Sequence, residues 1–141
     1  MTRTLTTLLC LGIATAALAH TDVKNPAVKA RMDGMTRLAA HTKALATGMK
    51  NGAPQADIAA AAAAMRQEAA TVASLFQPLE DDPKSEARAV IWTDWSDFVA
   101  RSQALMDAAD MAERAQTPAE QGAAFRDIGA ACAACHKVYR D

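Results

Sequence analysis

The chain has 141 residues, with 15 lysines and arginines against 16 aspartates and glutamates, for a formal net charge of −1. That near-balance argues against a nucleic-acid partner, which selects a basic surface, and the length allows one domain with a single core rather than two. Abundant alanine, only 4% aromatic residues and no run of alternating β-branched residues favour helix over strand.

At the N-terminus, Arg3 precedes an apolar run from Leu5 to Leu18 that ends in Ala17-Leu18-Ala19. This is the pattern of a secretory signal peptide over residues 1–19, with His20 as the new terminus. The run is shorter than the roughly 20 residues needed to span a bilayer. A lipid anchor at Cys10 is disfavoured, because the cysteine lies inside the run, after Thr7-Leu8-Leu9, without small residues before it. Cleavage leaves about 122 residues, 20–141, with 14 basic and 16 acidic side chains, in an exported and therefore periplasmic protein.

Four helices follow. The first spans about Pro26 to Met49, with Pro26 in the opening turn and Asn51-Gly52 closing it. Val28, Met32, Met35, Ala39, Thr42, Ala46 and Met49 mark one face at steps of three and four. The second runs from Pro54 to about Phe76 on the stripe Ile58, Ala62, Met65, Ala69, Val72 and Phe76, and Pro78 ends it. After the polar linker Glu80-Asp81-Asp82-Pro83, Ser85 is the expected cap of a third helix. That helix carries Trp92, Trp95, Val99, Ser102, Leu105 and Ala109 on one face, widened by Phe98 and Met106, and fades around Glu113 to Gln116. The fourth starts with Thr117 as cap, Pro118 in the first position and Glu120 completing a capping box. Phe125, Ile128, Cys132, Cys135 and Tyr139 are its stripe. Amphipathic helices joined by short connections pack as an antiparallel up-down-up-down four-helix bundle, so the fold class is all-α.

The fourth helix holds Cys132-Ala133-Ala134-Cys135-His136. Two thiols three residues apart, followed by a histidine, form the attachment pattern of a c-type haem. Each sulfur can add across one vinyl group, and the adjacent imidazole can ligate the iron. Removal of the leader also removes Cys10, leaving this pair alone in an oxidising compartment. A disulfide at that spacing on one helix is strained, and a zinc site lacks a second ligand pair. A thioredoxin-like pair wants a strand before it. Haem attachment consumes both thiols and the histidine. A helical pitch of about 3.6 residues sets His136 over Cys132 on the buried stripe, so a single covalent haem c is expected inside the bundle.

The mature chain resembles the class II c-type cytochromes, the cytochrome c′ family and its low-spin relatives. The resemblance is strongest over Asp127-Ile128-Gly129-Ala130-Ala131-Cys132-Ala133-Ala134-Cys135-His136-Lys137-Val138-Tyr139-Arg140 in the last helix. Val28-Lys29-Ala30-Arg31 with Met35, and Val90-Ile91-Trp92, agree in order along the chain. The resemblance implies thioethers at Cys132 and Cys135 and His136 as proximal ligand, with Arg31 near a haem propionate and Met35 facing the distal side of the iron. In low-spin members a methionine there binds iron, which implies His136/Met35 ligation and a one-electron carrier for periplasmic redox partners. The alternative is a five-coordinate protein binding nitric oxide or carbon monoxide. Met32 competes with Met35 for the ligand role, and either methionine could instead be core filler. Arg140 resembles the family's basic residue close to the proximal histidine, or serves as a cation at a helix C-terminus. Gly34 and Gly129 admit either a flat ring or a neighbouring helix. His41 reads as solvated, and Trp92 and Trp95 as core. Family members often pair through the first two helices, so a homodimer is implied as an option. No nucleophile–base pair or paired carboxylates mark an enzyme.

Overall fold

The computed structural model describes residues 22–141, and the expected leader lies outside them. Four long helical arms form an antiparallel bundle. The first, α1 (Pro26–Lys50), is capped by Asn25, whose side-chain oxygen accepts from the backbone N–H groups of Ala27 and Val28 at 2.9 and 3.2 Å. It ends at Asn51-Gly52, where Gly52 takes a positive φ of 66°. No helix among the described residues is long and apolar enough to cross a membrane.

The second arm is interrupted. It consists of α2 (Gln55–Ala69) and α3 (Val72–Phe76), with a break at Ala70-Thr71. Thr71 donates its hydroxyl to the Glu68 carbonyl at 2.8 Å, the local competition with the helix ladder that threonine offers. The stripe runs through the break unshifted, and Ile58, Ala62, Met65, Ala69, Val72 and Phe76 are all buried as expected.

The third arm begins later than its sequence implies. A single turn, α4 (Val90–Thr93), precedes α5 (Trp95–Arg114). Ser85 does not cap a helix: its hydroxyl accepts from the Ala87 N–H at 3.2 Å in a local turn. Residues 85–88 are held instead by the C-terminus, where Ala87 bridges Arg140 antiparallel, Arg88 N–H donates to the Tyr139 carbonyl and Asp141 N–H to the Glu86 carbonyl, both at 3.0 Å. Pairing between residues some fifty apart overrides local helix propensity here. The last arm, α6 (Pro118–Tyr139), opens on the expected capping box, with both reciprocal hydrogen bonds made by Thr117 and Glu120.

Around the bundle α1 packs on α2, α2 on α5 and α5 on α6. The α2–α5 seam is built from small residues, Ala62, Ala69, Ala108, Ala109 and Ala112, around Met65. Small side chains let the helix axes approach closely.

Candidate haem-binding site

α6 carries Cys132, Cys135 and His136 on the side turned to a cavity of about 590 Å³ between α1 and α6. Both thiols are free and half-buried, and burial pushes each above the usual thiol value, opposed at Cys135 by the nearby Arg101. The His136 imidazole is held below the usual histidine value, first by burial and then by the Arg140 charge. That favours the neutral ring, the form that ligates metal.

The α1 wall comprises Val28, Arg31, Met32, Met35, Ala39 and Thr42, among others. Five members of the stripe read from the sequence, Val28, Met32, Met35, Ala39 and Thr42, therefore line the cavity. The packed face of α1 is a different one, Val28, Arg31, Gly34, Leu38 and Leu45. Val28, Arg31 and Leu38 are buried and also border the cavity. Val72 and Phe76 of α3 and Phe98, Ser102 and Leu105 of α5 complete the apolar interior.

The polar groups on these walls are turned onto the protein itself. Thr36 and Thr42 donate to the Met32 and Leu38 carbonyls at 2.9 Å, and Ser102 to the Val99 carbonyl at 2.8 Å. Tyr139 donates to Asp97 at 2.6 Å. A volume inside the usual cofactor range of roughly 300–1,000 Å³, apolar walls, and two thiols with an imidazole from one helix fit a covalently attached haem. Among the described residues no cluster of three or more His, Cys, Asp or Glu could hold a metal ion by side chains alone.

A family model described as "Cytochrome C′" matches residues 26–140. The chain belongs to the cytochrome c′ family. It is 32% identical over 123 residues to the cytochrome c′ of Alcaligenes xylosoxydans xylosoxydans, covering 81% of this chain and 92% of that one. It is 40% identical over 60 residues to the Rhodospirillum rubrum cytochrome c′, covering 40% and 41%. Among solved structures, a nitric oxide complex of a leucine-to-valine variant of the Alcaligenes xylosoxidans protein superposes with a TM-score of 0.72 at 32% identity, covering 82% of this chain and 94% of that one. A carbon monoxide complex of a leucine-to-glycine variant gives 0.71 at 33%, with the same coverage.

This membership overturns the expectation of a low-spin electron carrier with Met35 as sixth ligand. The relatives are cytochromes c′, the Alcaligenes xylosoxidans protein having been solved with nitric oxide and with carbon monoxide bound, and the low-spin branch finds no support. Periodicity places a methionine on a wall but does not measure whether its sulfur reaches an iron; here Met35 and Met32 both line the cavity as apolar bulk.

Other expected residues fall as follows. Arg31 lines the cavity and is only 2% exposed, but its guanidinium donates to the carbonyls of Leu75 (3.1 Å), Glu80 (2.8 Å) and Pro78. Burial pulls it below the usual arginine value, countered by Glu80 and Asp81. Arg140 lines the cavity beside His136 and pairs with Glu86, Nε to carboxylate at 2.6 Å. Gly34 is a helix-contact glycine, since a Cβ there would meet Leu75 Cδ1 at 2.7 Å; at Gly129 a Cβ would meet nothing within 4 Å. Trp92 donates its indole N–H to the Phe76 carbonyl at 2.8 Å, and Trp95 stacks on Phe98 with centroids 5.5 Å apart.

Two features of the site were not anticipated. Ser85, Glu86 and Ala87 form part of the wall near His136, a placement set by long-range pairing that no local pattern announces. Arg101 also lines the cavity, bound to Asp97 at 2.5 Å and donating to the Ala134 carbonyl, between the two cysteines, at 3.1 Å. The i,i+4 spacing of Asp97 and Arg101 is a sequence signal for the pair.

Proposed function

We propose that this protein carries one covalent haem c and binds nitric oxide or carbon monoxide at five-coordinate iron. The observation that carries this reading is the lining opposite α6: apolar side chains, with the hydroxyls of Thr36, Thr42 and Ser102 spent on their own helices. A haem held there supplies an open coordination position for a diatomic ligand. Cys132 and Cys135 tether, and His136 holds the proximal side in its neutral form. Met32, Met35 and Phe76 exclude water and offer no proton, which suits neutral, weakly hydrogen-bonding gases. We therefore read the protein as a binder rather than an enzyme. Export to the periplasm follows from residues 1–19, and pairing of two copies through α1 and α2 follows from the resemblance, as does a redox partner that sets the oxidation state.

The visible and near-infrared spectrum of the purified ferric protein tests the reading. A high-spin pattern without a sulfur-to-iron band is expected, with prompt uptake of carbon monoxide and nitric oxide after reduction. Met35→Ala should leave the spin state unchanged. A low-spin spectrum that Met35→Ala converts to high spin would reject the proposal.

A further inference from the structure

The bend that follows α3 is tied to α1 by one buried side chain. Arg31 spreads its guanidinium over three main-chain carbonyls, that of Leu75 in the last turn of α3 and those of Pro78 and Glu80 in the bend. The guanidinium also lies against two rings, 5.3 Å from the Phe76 centroid and 5.0 Å from that of Trp92. Trp92 adds its own N–H to the Phe76 carbonyl between them. The carbonyls at the end of a helix have no partners within it and form its negative pole, so a cation with several donors suits this place. Three of the five guanidinium N–H groups are consumed in doing so.

Phe76, which this arrangement touches directly, and Val72, one turn earlier, are the contribution of α3 to the cavity lining. We infer that Arg31 is a positioning residue: through the Leu75, Pro78 and Glu80 carbonyls it fixes the end of α3 against α1 and so sets the α3 side of the haem cavity. This work on the backbone of the bend is separate from the propionate contact that the family resemblance implies, for which two N–H groups remain. A planar fork can serve three separated carbonyls, whereas the point charge of lysine cannot. That difference separates the two roles, since an electrostatic partner for a propionate keeps its function as lysine.

The test uses the full haem-loaded protein, with Arg31→Lys and Trp92→Phe. Hydrogen exchange of the 76–84 amides and carbon monoxide association to the ferrous form are followed in each. Arg31→Lys should speed exchange of the bend by about tenfold or more, as expected for lost hydrogen bonds to a charged group. Association should rise several-fold, with dissociation and the ferric spectrum unchanged. Trp92→Phe, which keeps the ring but removes one donor to the same bend, should move both readouts in the same direction by less. Wild-type exchange and association in Arg31→Lys would overturn the inference in favour of a charge role. If Arg31→Lys does not fold, unchanged exchange in Trp92→Phe overturns it. The association arm rests on the gas-binding reading and the exchange arm does not: failure to bind carbon monoxide strikes that reading, and unchanged exchange strikes this one.

Discussion

The two flanks of the bundle are made from similar amphipathic helices yet end in opposite states. On the α2–α5 flank Ala62, Met65 and Ala109 are all fully buried, and small residues bring the helices together. On the α1–α6 flank Met32, Met35, Cys132 and Cys135 remain partly exposed around a cavity of about 590 Å³. The difference is one of partners. A closed seam needs apolar side chains whose volumes sum to native density. The open flank keeps its apolar side chains apart, with Arg31 and the 85–88 strap fixing its rims, and leaves the remaining volume to a cofactor.

The largest test of that contrast removes what ties the cofactor to the open flank. Replacing Cys132 and Cys135 together by alanine should abolish covalent attachment outright. Haem should then leave on denaturing electrophoresis or acid extraction, while it stays with the unaltered protein. Haem that still migrates with the doubly substituted chain would place its attachment elsewhere.

Equal truncations on the two flanks come next. Met65→Ala opens a void in the dry seam and should cost about 2–5 kcal/mol in denaturant unfolding. Met32→Ala, on the cavity wall, should cost about 1 kcal/mol or less, because its side chain already borders open space. Similar losses at both positions would erase the distinction between a closed and an open flank.

A third test bears on the rim of the open flank. Asp82 is buried, and its carboxylate accepts from the backbone N–H groups of Lys84 at 2.9 Å, Asn25 at 3.1 Å and Lys24 at 2.9 Å, which stitches the linker to the start of α1. These bonds, with the Lys84 contact foremost, hold it below the usual carboxylate range. A depressed folded value means that the stabilisation is fully present above the unfolded value, near pH 4, and is lost as pH falls through the folded one. Thermal midpoints should therefore drop on acidification below about pH 4. Asp82→Asn should lower the midpoint at neutral pH and flatten that acid-side slope, and an unchanged slope would assign the acid sensitivity to other carboxylates.

What could be read from the sequence followed the range of the interactions. The α2–α3 stripe was legible throughout, because each stripe position from Ile58 to Phe76 meets one continuous core. On α1 the same periodicity picked out Met32, Met35, Ala39 and Thr42, and the structure turns them to the cavity. An apolar face awaiting a cofactor and one packed on protein have the same pattern, so periodicity alone does not separate them. The attachment motif was legible because covalent chemistry fixes residue types at fixed spacing. The ligation state was not, because methionine serves equally as filler and as ligand. The strap at residues 85–88 and the three-carbonyl site of Arg31 escaped because both depend on partners some fifty residues distant, which no local rule encodes.

The smallest expected effect divides the two regions within a single helix. The N-terminal half of α6 buries Ala124 and Ile128 in the closed core, whereas its C-terminal half carries Cys132, Cys135 and His136 to the cavity. The Thr117 hydroxyl accepts from the Glu120 N–H at 3.2 Å, and the Glu120 carboxylate accepts in return from Gln116 and Thr117 N–H at 2.8 and 2.9 Å. Those bonds satisfy backbone donors that the helix itself cannot. Thr117→Ala should cost about 1 kcal/mol of stability by chemical denaturation. The loss should be felt in the first turn, some four turns from the attachment site, so the ferric spectrum and carbon monoxide association should stay as they are. A stability loss of this size with an altered spectrum would mean that α6 transmits strain from its cap to His136, and that the closed and open regions are mechanically one.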